Sequence, residues 1–267
     1  MSGPTDYPPE PWYLGGSLLV SVFAVPVDEM PRIQALPHGH RALRLGSRVI
    51  VGVAAVQYVP GGALEYDELL VAVPSLGRGG LRVTIPQIWV DSPASQRGGR
   101  ELWGIPKQLA RFRRRTTANG RTLVRITADP TDTTDKPARA TASGTGTTDG
   151  GIAAVQARRG RPLLPGLRQV VLPILQQLDG RVTLSHNRVI GRISGLRATW
   201  RFDRDGALGW LHGRRPLLSV ELHDAAVVFG LDVTRSVTAT AAEAAPTETA
   251  IPAETTAPTA PTETRHP

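Results

Sequence analysis

Lysine is rare in this chain: of 31 basic residues, 29 are arginine, and the two lysines are Lys107 and Lys136. Lys136 sits in a Thr-, Asp- and Gly-rich stretch and reads as a solvated side chain. Lys107 sits among Trp103, Ile105, Leu109 and Phe112. An amine attacks a carbonyl carbon only when neutral, and a free lysine titrates near 10.4, so a nucleophilic lysine needs its ammonium form disfavoured by about 3–4 units. Apolar surroundings do this, and arginine cannot take the role because its guanidinium stays protonated. Glu68, in the run Tyr66-Asp67-Glu68-Leu69-Leu70-Val71, is the candidate proton carrier. The plain alternatives are a surface lysine with its stem along Trp103 and an exposed glutamate on an edge strand.

Other chemistries find little footing. The chain has no Cys, which excludes disulfides, thiolate metal sites and cysteine nucleophiles. His38-Gly39-His40 lacks a third ligand nearby and reads as a polar loop, so no metal is expected. Gly77-Arg78-Gly79-Gly80 lacks the Gly-Lys-Ser/Thr of a phosphate loop and reads as a hairpin turn. Asp179, Ser185 and His186 form no nucleophile elbow.

The elements that must position these residues read mostly as strands. Segments 17–25, 48–58, 68–74, 81–90, 121–128, 181–190, 195–202 and 217–229 are rich in Val, Ile, Leu, Thr and aromatics and are bounded by Gly, Pro, Asp and Asn. Asp179-Gly180 between two apolar runs predicts a hairpin. Helices look few: a short one near 28–36 and a turn after Pro106. The pattern predicts a mainly β, β-rich α+β fold of antiparallel sheets, closed or nearly closed. The segment 129–151 reads as a mobile insertion, and 233–267, rich in Thr, Ala, Pro and Glu, as a disordered tail, which leaves one folded domain over 1–232.

The net charge of +8 admits a nucleic-acid reading, but the arginines are scattered and Arg113-Arg114-Arg115 is the only run of three. A solvated basic surface is expected instead, with no nucleic-acid partner. The N-terminal MSGPTDYPPEPW has neither a basic start nor an apolar run, and the apolar run from Leu14 to Val27 is interrupted and too short to span a bilayer, so a soluble cytoplasmic protein without a membrane partner is expected.

Gly99-Arg100-Glu101-Leu102-Trp103-Gly104-Ile105-Pro106-Lys107 resembles the acetoacetate decarboxylase family, whose members carry Gly-Arg-Glu a few residues before a Pro-Lys. Glu65 to Val73 is similar to the family's strand with an active-site glutamate, and Ala198 to Phe229 looks like actinobacterial-type members. The resemblance covers roughly residues 8–232. It implies an antiparallel barrel or cone with a few short helices, a central cavity and a homo-oligomer. It implies that Lys107 forms an imine with a small keto acid, that Glu68 carries the proton, and that Tyr66, Trp103 and Gln108 shape the substrate site. Decarboxylation, aldol chemistry or dehydration would follow, with no metal or organic cofactor because the iminium is itself the electron sink. Three positions depart from the family pattern: Gln108 stands where the decarboxylases have a second lysine, and the family's arginine and first glutamate fall near Leu18 and Val53. A non-catalytic small-molecule-binding barrel of the same fold is the alternative.

Overall fold

The computed structural model describes residues 6–33, 35–132 and 150–237. In chain order the strands are β1 Trp12–Pro26, β2 Arg41–Ala42, β3 Arg44–Leu45, β4 Arg48–Val59, β5 Tyr66–Gly77, β6 Gly80–Val90, β7 Lys107–Thr116, β8 Arg121–Ala128, β9 Gly151–Pro162, β10 Arg168–Leu178, β11 Arg181–Phe202 and β12 Leu218–Val237. One α-helix, α1 Pro93–Trp103, lies between β6 and β7. Short 3-10 turns occupy Val27–Glu29 and Gly209–Leu211.

The strands form a single mixed sheet in the order β10-β6-β7-β8-β9-β11-β12-β1-β4-β5-β2, with β3 on β4 and further pairings β10–β11 and β6–β5. Most ladders are antiparallel, as expected, but β6 runs parallel to both β7 and β10. The reason for the first is α1: a helical crossover returns the chain in the same direction, which a tight hairpin cannot do. The Asp179-Gly180 hairpin is present, with both residues at positive φ (49° and 74°), the backbone of a type I′ turn. Gly79 and Gly80 likewise turn β5 into β6 with φ of 89° and 92°.

The near-continuous apolar run of β4 has a simple cause: the strand is buried on both faces. Val49, Val51, Val53 and Ala55 face one core, shared with Leu69, Val71 and Trp89, while Ala54, Val56 and Tyr58 face a second, shared with Tyr66, Ile88, Trp103 and Ile105. Val53, the position near which a carboxylate would fall by resemblance, is therefore fully buried among hydrocarbons. Leu18 packs against the second core.

Three expectations need correction. The helical turn placed after Pro106 is the start of β7, and the helix lies just before it. Two glycines hid α1 from its propensity, although Ser92, Pro93 and Gly104 mark its ends. The helix expected near 28–36 is a single 3-10 turn. Strand β12 continues through Val233 to Val237, where the tail was expected to begin, and Arg235 bonds to Glu10 and to the Leu102 carbonyl there. The remainder of that expected tail, 238–267, and most of the expected insertion, 133–149, lie outside the described residues. No helix among the described residues is long and apolar enough to cross a membrane.

Candidate active site

The site begins with how α1 ends. Ser92 caps its N-terminus, its hydroxyl accepting from the Ser95 N–H at 3.2 Å, and Pro93 occupies the first turn where no N–H is needed. At the other end Gly104 takes φ 64° and ψ 24°; its N–H bonds the Arg100 carbonyl, and the Ile105 N–H bonds that of Gly99. This left-handed closure reverses the chain. Pro106 follows, bridged by a bond from the Lys107 N–H to the Ile105 carbonyl at 2.7 Å. The reversal lays Lys107 back across Gly99. A Cβ on Gly99 would stand 2.6 Å from Lys107 Cδ and 2.8 Å from Cε, so only glycine leaves room for the lysine stem. Gly98, one position earlier, leaves room for Trp12 in the same way. The spacing from Gly99 to Lys107 is thus the length of a helix end folded back on itself.

Lys107 is 3 % exposed, and its Nζ donates to Glu68 Oε2 at 2.9 Å, Ser95 Oγ at 2.9 Å and Tyr66 Oη at 3.3 Å. An ammonium has three N–H donors, and all three find oxygens. Nζ also lies 5.0 Å from the Tyr66 ring centroid, within cation–π range. Glu68 is 2 % exposed and Ser95 fully buried. Glu68 arrives from β5, Ser95 from the first turn of α1 and Lys107 from β7, so one strand, one helix and one strand meet at the amine. The register of β5 on β4 sets Glu68 opposite Val56.

The hydroxyls have a defined character. Burial, and then the neighbouring Glu68 carboxylate, raise the Tyr66 phenol well above its ordinary value, so it stays protonated. Tyr58, its ring 4.7 Å from that of Tyr66, is raised for the same two reasons in the same order. Lys107, Glu68 and Tyr66 therefore bring an amine, a carboxylate and a neutral phenol O–H into one buried, hydrogen-bonded cluster.

The structure brings Lys107, Glu68 and Tyr66 together. It places Trp103 elsewhere: the indole N–H donates to Glu10 at 2.8 Å and the ring packs on Trp12 and Phe229, so Trp103 anchors α1 in the core. Gln108 follows Lys107 on a strand and so projects from the opposite face. There it lines a pocket of about 240 Å³ with Trp89, Ala128 and Asp203. Ser95 and Tyr58 were not anticipated. Ser95 had a signal, since it stands four residues before Gly99 and therefore on the same helical face. Tyr58 had none short of its pairing with Tyr66 across β4 and β5. No group of three or more His, Cys, Asp and Glu able to hold a metal occurs among the described residues.

The family model for acetoacetate decarboxylase matches residues 34–148, which include Glu68, α1 and Lys107. The chain resembles the acetoacetate decarboxylase family. Solved structures extend the likeness in fold over most of its length. Acetoacetate decarboxylase from Legionella pneumophila is 15 % identical with a TM-score of 0.62, covering 86 % of this chain and 90 % of its own. The enduracididine biosynthesis enzyme MppR, complexed with pyruvate, is 16 % identical with a TM-score of 0.56, covering 86 % and 91 %. An acetoacetate decarboxylase-like enzyme from Sphingomonas wittichii RW1 is 14 % identical with a TM-score of 0.55, covering 88 % and 100 %. No curated protein sequence matches the chain. The decarboxylase-like motif, Gly99 to Lys107, is the stretch whose geometry was just described.

Proposed function

We propose that the chain is an enzyme that joins Lys107 to a small keto acid as an imine. The observation that carries this reading is the lysine amine buried against Glu68 beneath α1. The likeness to decarboxylases, and to MppR in complexes with pyruvate and with the condensation product of pyruvate and imidazole 4-carboxaldehyde, supports it.

The chemistry assigns a part to each group. A proton passes from Nζ to Glu68, 2.9 Å away, which frees the amine lone pair. Nζ adds to the keto carbon, and the carbonyl oxygen takes one proton from Nζ and a second back from Glu68 and leaves as water, with the Tyr66 phenol as hydrogen-bond donor to it, so that Glu68 is again a carboxylate. The resulting iminium draws the electrons of an adjacent bond. If a carboxylate sits β to the carbonyl, carbon dioxide departs; if a C–H sits α, Glu68 takes the proton. Either way an enamine forms, which is protonated at carbon or attacks a second carbonyl, and water then releases the product. Substrate must displace one of the three oxygens now holding Nζ.

We also read the sheet as closed into a cone around the core that contains Tyr66 and Ile105. The pairing of β10 with both β6 and β11, and of β5 with β6, supports this.

The test is borohydride reduction in the presence of pyruvate or acetoacetate, followed by mass spectrometry. The expected result is a reduced adduct on the Lys107 peptide that disappears in Lys107→Arg, a variant that keeps the charge but cannot form the imine. An adduct that persists in Lys107→Arg, or ligand binding with no adduct in the wild type, would overturn the reading; the second result identifies a binding protein instead.

A further inference from the structure

Lys107 is 3 % exposed and its amine is held by three oxygens, so a dissolved molecule meets Nζ only when one wall of the site moves. Two walls are strands: β5 is laddered to β4 and β6, and β7 to β6 and β8. Moving either breaks a row of backbone bonds. The third wall is α1, whose backbone bonds run along its own axis and survive a tilt. Its C-terminal end is fixed: Trp103 is 1 % exposed, and Arg235 donates to the Leu102 carbonyl at 2.9 Å. Its N-terminal half carries Ser95 against the amine.

Helical phase shows what holds that half in place. Ser95 and Gly99, four residues apart, face the amine. Arg97 and Glu101, also four apart, face away and are exposed. The N-terminal segment 6–10 lies on this outer side. Asp6 pairs with Arg97 at 3.0 Å, and the Tyr7 hydroxyl donates to Glu101 at 2.6 Å. The Tyr7 ring lies against Gly98, where a Cβ would stand 3.0 Å from Tyr7 Cδ2. The helix is thus gripped through its paired glycines, by Tyr7 and Trp12 at Gly98 and by the lysine stem at Gly99. The two ends of the segment are held unequally. Glu10 accepts from the Trp103 indole at 2.8 Å and from Arg235 at 2.6 Å, and the buried Trp12 donates to the Pro8 carbonyl at 2.8 Å. The Asp6 and Tyr7 bonds lie in solvent, Asp6 with its side chain 72 % exposed, where such contacts are weak and screened by salt. A segment anchored at its base and lightly held at its tip opens at lower cost than the core around it.

We propose that residues 6–9 are a strap that holds α1 closed over Lys107, and that lifting Asp6 and Tyr7 off the helix opens the way to the amine. That a keto acid is what then enters rests on the imine reading; the strap's control of access does not.

Access is read by pulsed acetylation of the full chain with N-hydroxysuccinimidyl acetate, followed by mass spectrometry. Lys136, the only other lysine, is the internal reference for the reagent. Asp6→Asn/Tyr7→Phe removes both strap bonds and should raise the Lys107 rate relative to Lys136 by about tenfold. The melting temperature should fall by less than about 4 °C. Deleting residues 1–7 should have the same effect on Lys107, so each variant checks the other. Val124→Ala, in the first core, should lower the melting temperature at least as much and leave the Lys107 rate unchanged. Raising salt from about 50 to about 500 mM should speed Lys107 acetylation about twofold in the wild type but not in Asp6→Asn, which has no ion pair to screen. A Lys107 rate unchanged in both strap variants, or raised equally by Val124→Ala, would overturn the proposal. Trapping of pyruvate under borohydride that quickens in step with acetylation supports it further. Acetylation that responds as expected while no form traps pyruvate supports the strap and overturns the imine reading alone.

Discussion

Lys107 and Glu68 form a buried ion pair whose remaining hydrogen bonds are met by Ser95 and Tyr66. Such a pair is costly to break from one side only, because the surviving charge stays in a low dielectric. Lys107→Met should therefore cost about 3–5 kcal/mol of stability, and so should Glu68→Leu. The double variant removes both charges and keeps the volume, leaving the Ser95 and Tyr66 hydroxyls to each other. It should be more stable than either single variant by about 2 kcal/mol or more, while forming no imine. Urea unfolding with an unchanged m-value measures this; costs that simply add would mean the two groups do not share one desolvated site. The legibility of the site in the sequence follows the same physics. Lys107 was marked by its rarity and its neighbours, and Glu68 by its apolar strand. The resemblance also implies Gln108 and Trp103 as site residues, but adjacent residues on a strand face opposite ways, and a helix end points its last aromatic wherever the core has room.

At the scale of elements, α1 is the device that sets the amine, and its two ends do different work. Ser92 supplies a cap bond, so Ser92→Ala should cost about 1 kcal/mol. Gly104→Ala should cost a similar amount, about 1–2 kcal/mol, because alanine is strained at φ 64° while its Cβ would meet neighbours only at 3.6 Å and beyond. Their effects on Lys107 should diverge. The N-terminal cap can fray without moving the reversal at Gly104, whereas a shifted reversal lifts Lys107 off Gly99. Imine trapping should thus fall at least tenfold more in Gly104→Ala than in Ser92→Ala at matched stability, as read from single-turnover trapping alongside melting curves. Equal trapping in the two would show that the helix end does not position the amine. The strands were legible because their apolar runs are long and bounded: β4 and β8 match the segments read from sequence almost residue for residue. Segments 181–190 and 195–202 merge into the 22-residue β11, because the residues between them continue the ladder with β12 through Arg192, Ile193 and Ser194. β7 and β9 were missed because arginine fills their outward positions and masks the alternation. The parallel pairing of β6 with β7 was hidden by the glycines of the helix that creates it.

At the scale of the molecule, one mixed sheet carries two cores, and the candidate site borders the second of them, which draws on β1, β4, β5, β6, β10, β11 and β12. Tyr58 and Tyr66 are both buried there, so ionisation of their phenols waits on opening of that core. Both phenols are held well above their ordinary value, first by burial and then by the Glu68 carboxylate. The sign of the linkage follows. Below pH about 10 the tyrosines are protonated in both folded and unfolded chains, and this contribution to stability is fully present. Above it the unfolded chain releases protons that the folded chain still holds, so stability declines as pH rises and is lost on the way to the raised folded values. Tyr7 is raised as well, chiefly by its hydrogen bond to Glu101. Of the four tyrosines, Tyr58 and Tyr66 should therefore give no phenolate absorbance near 295 nm while the native circular dichroism persists, and should appear together with its loss. Phe substitution at Tyr58 should delete part of that late, cooperative step and leave the earlier, reversible part of the titration unchanged. If all four phenols ionise reversibly near pH 10 with the sheet intact, the core beside Lys107 is open to water, and the desolvation on which a reactive amine depends is absent.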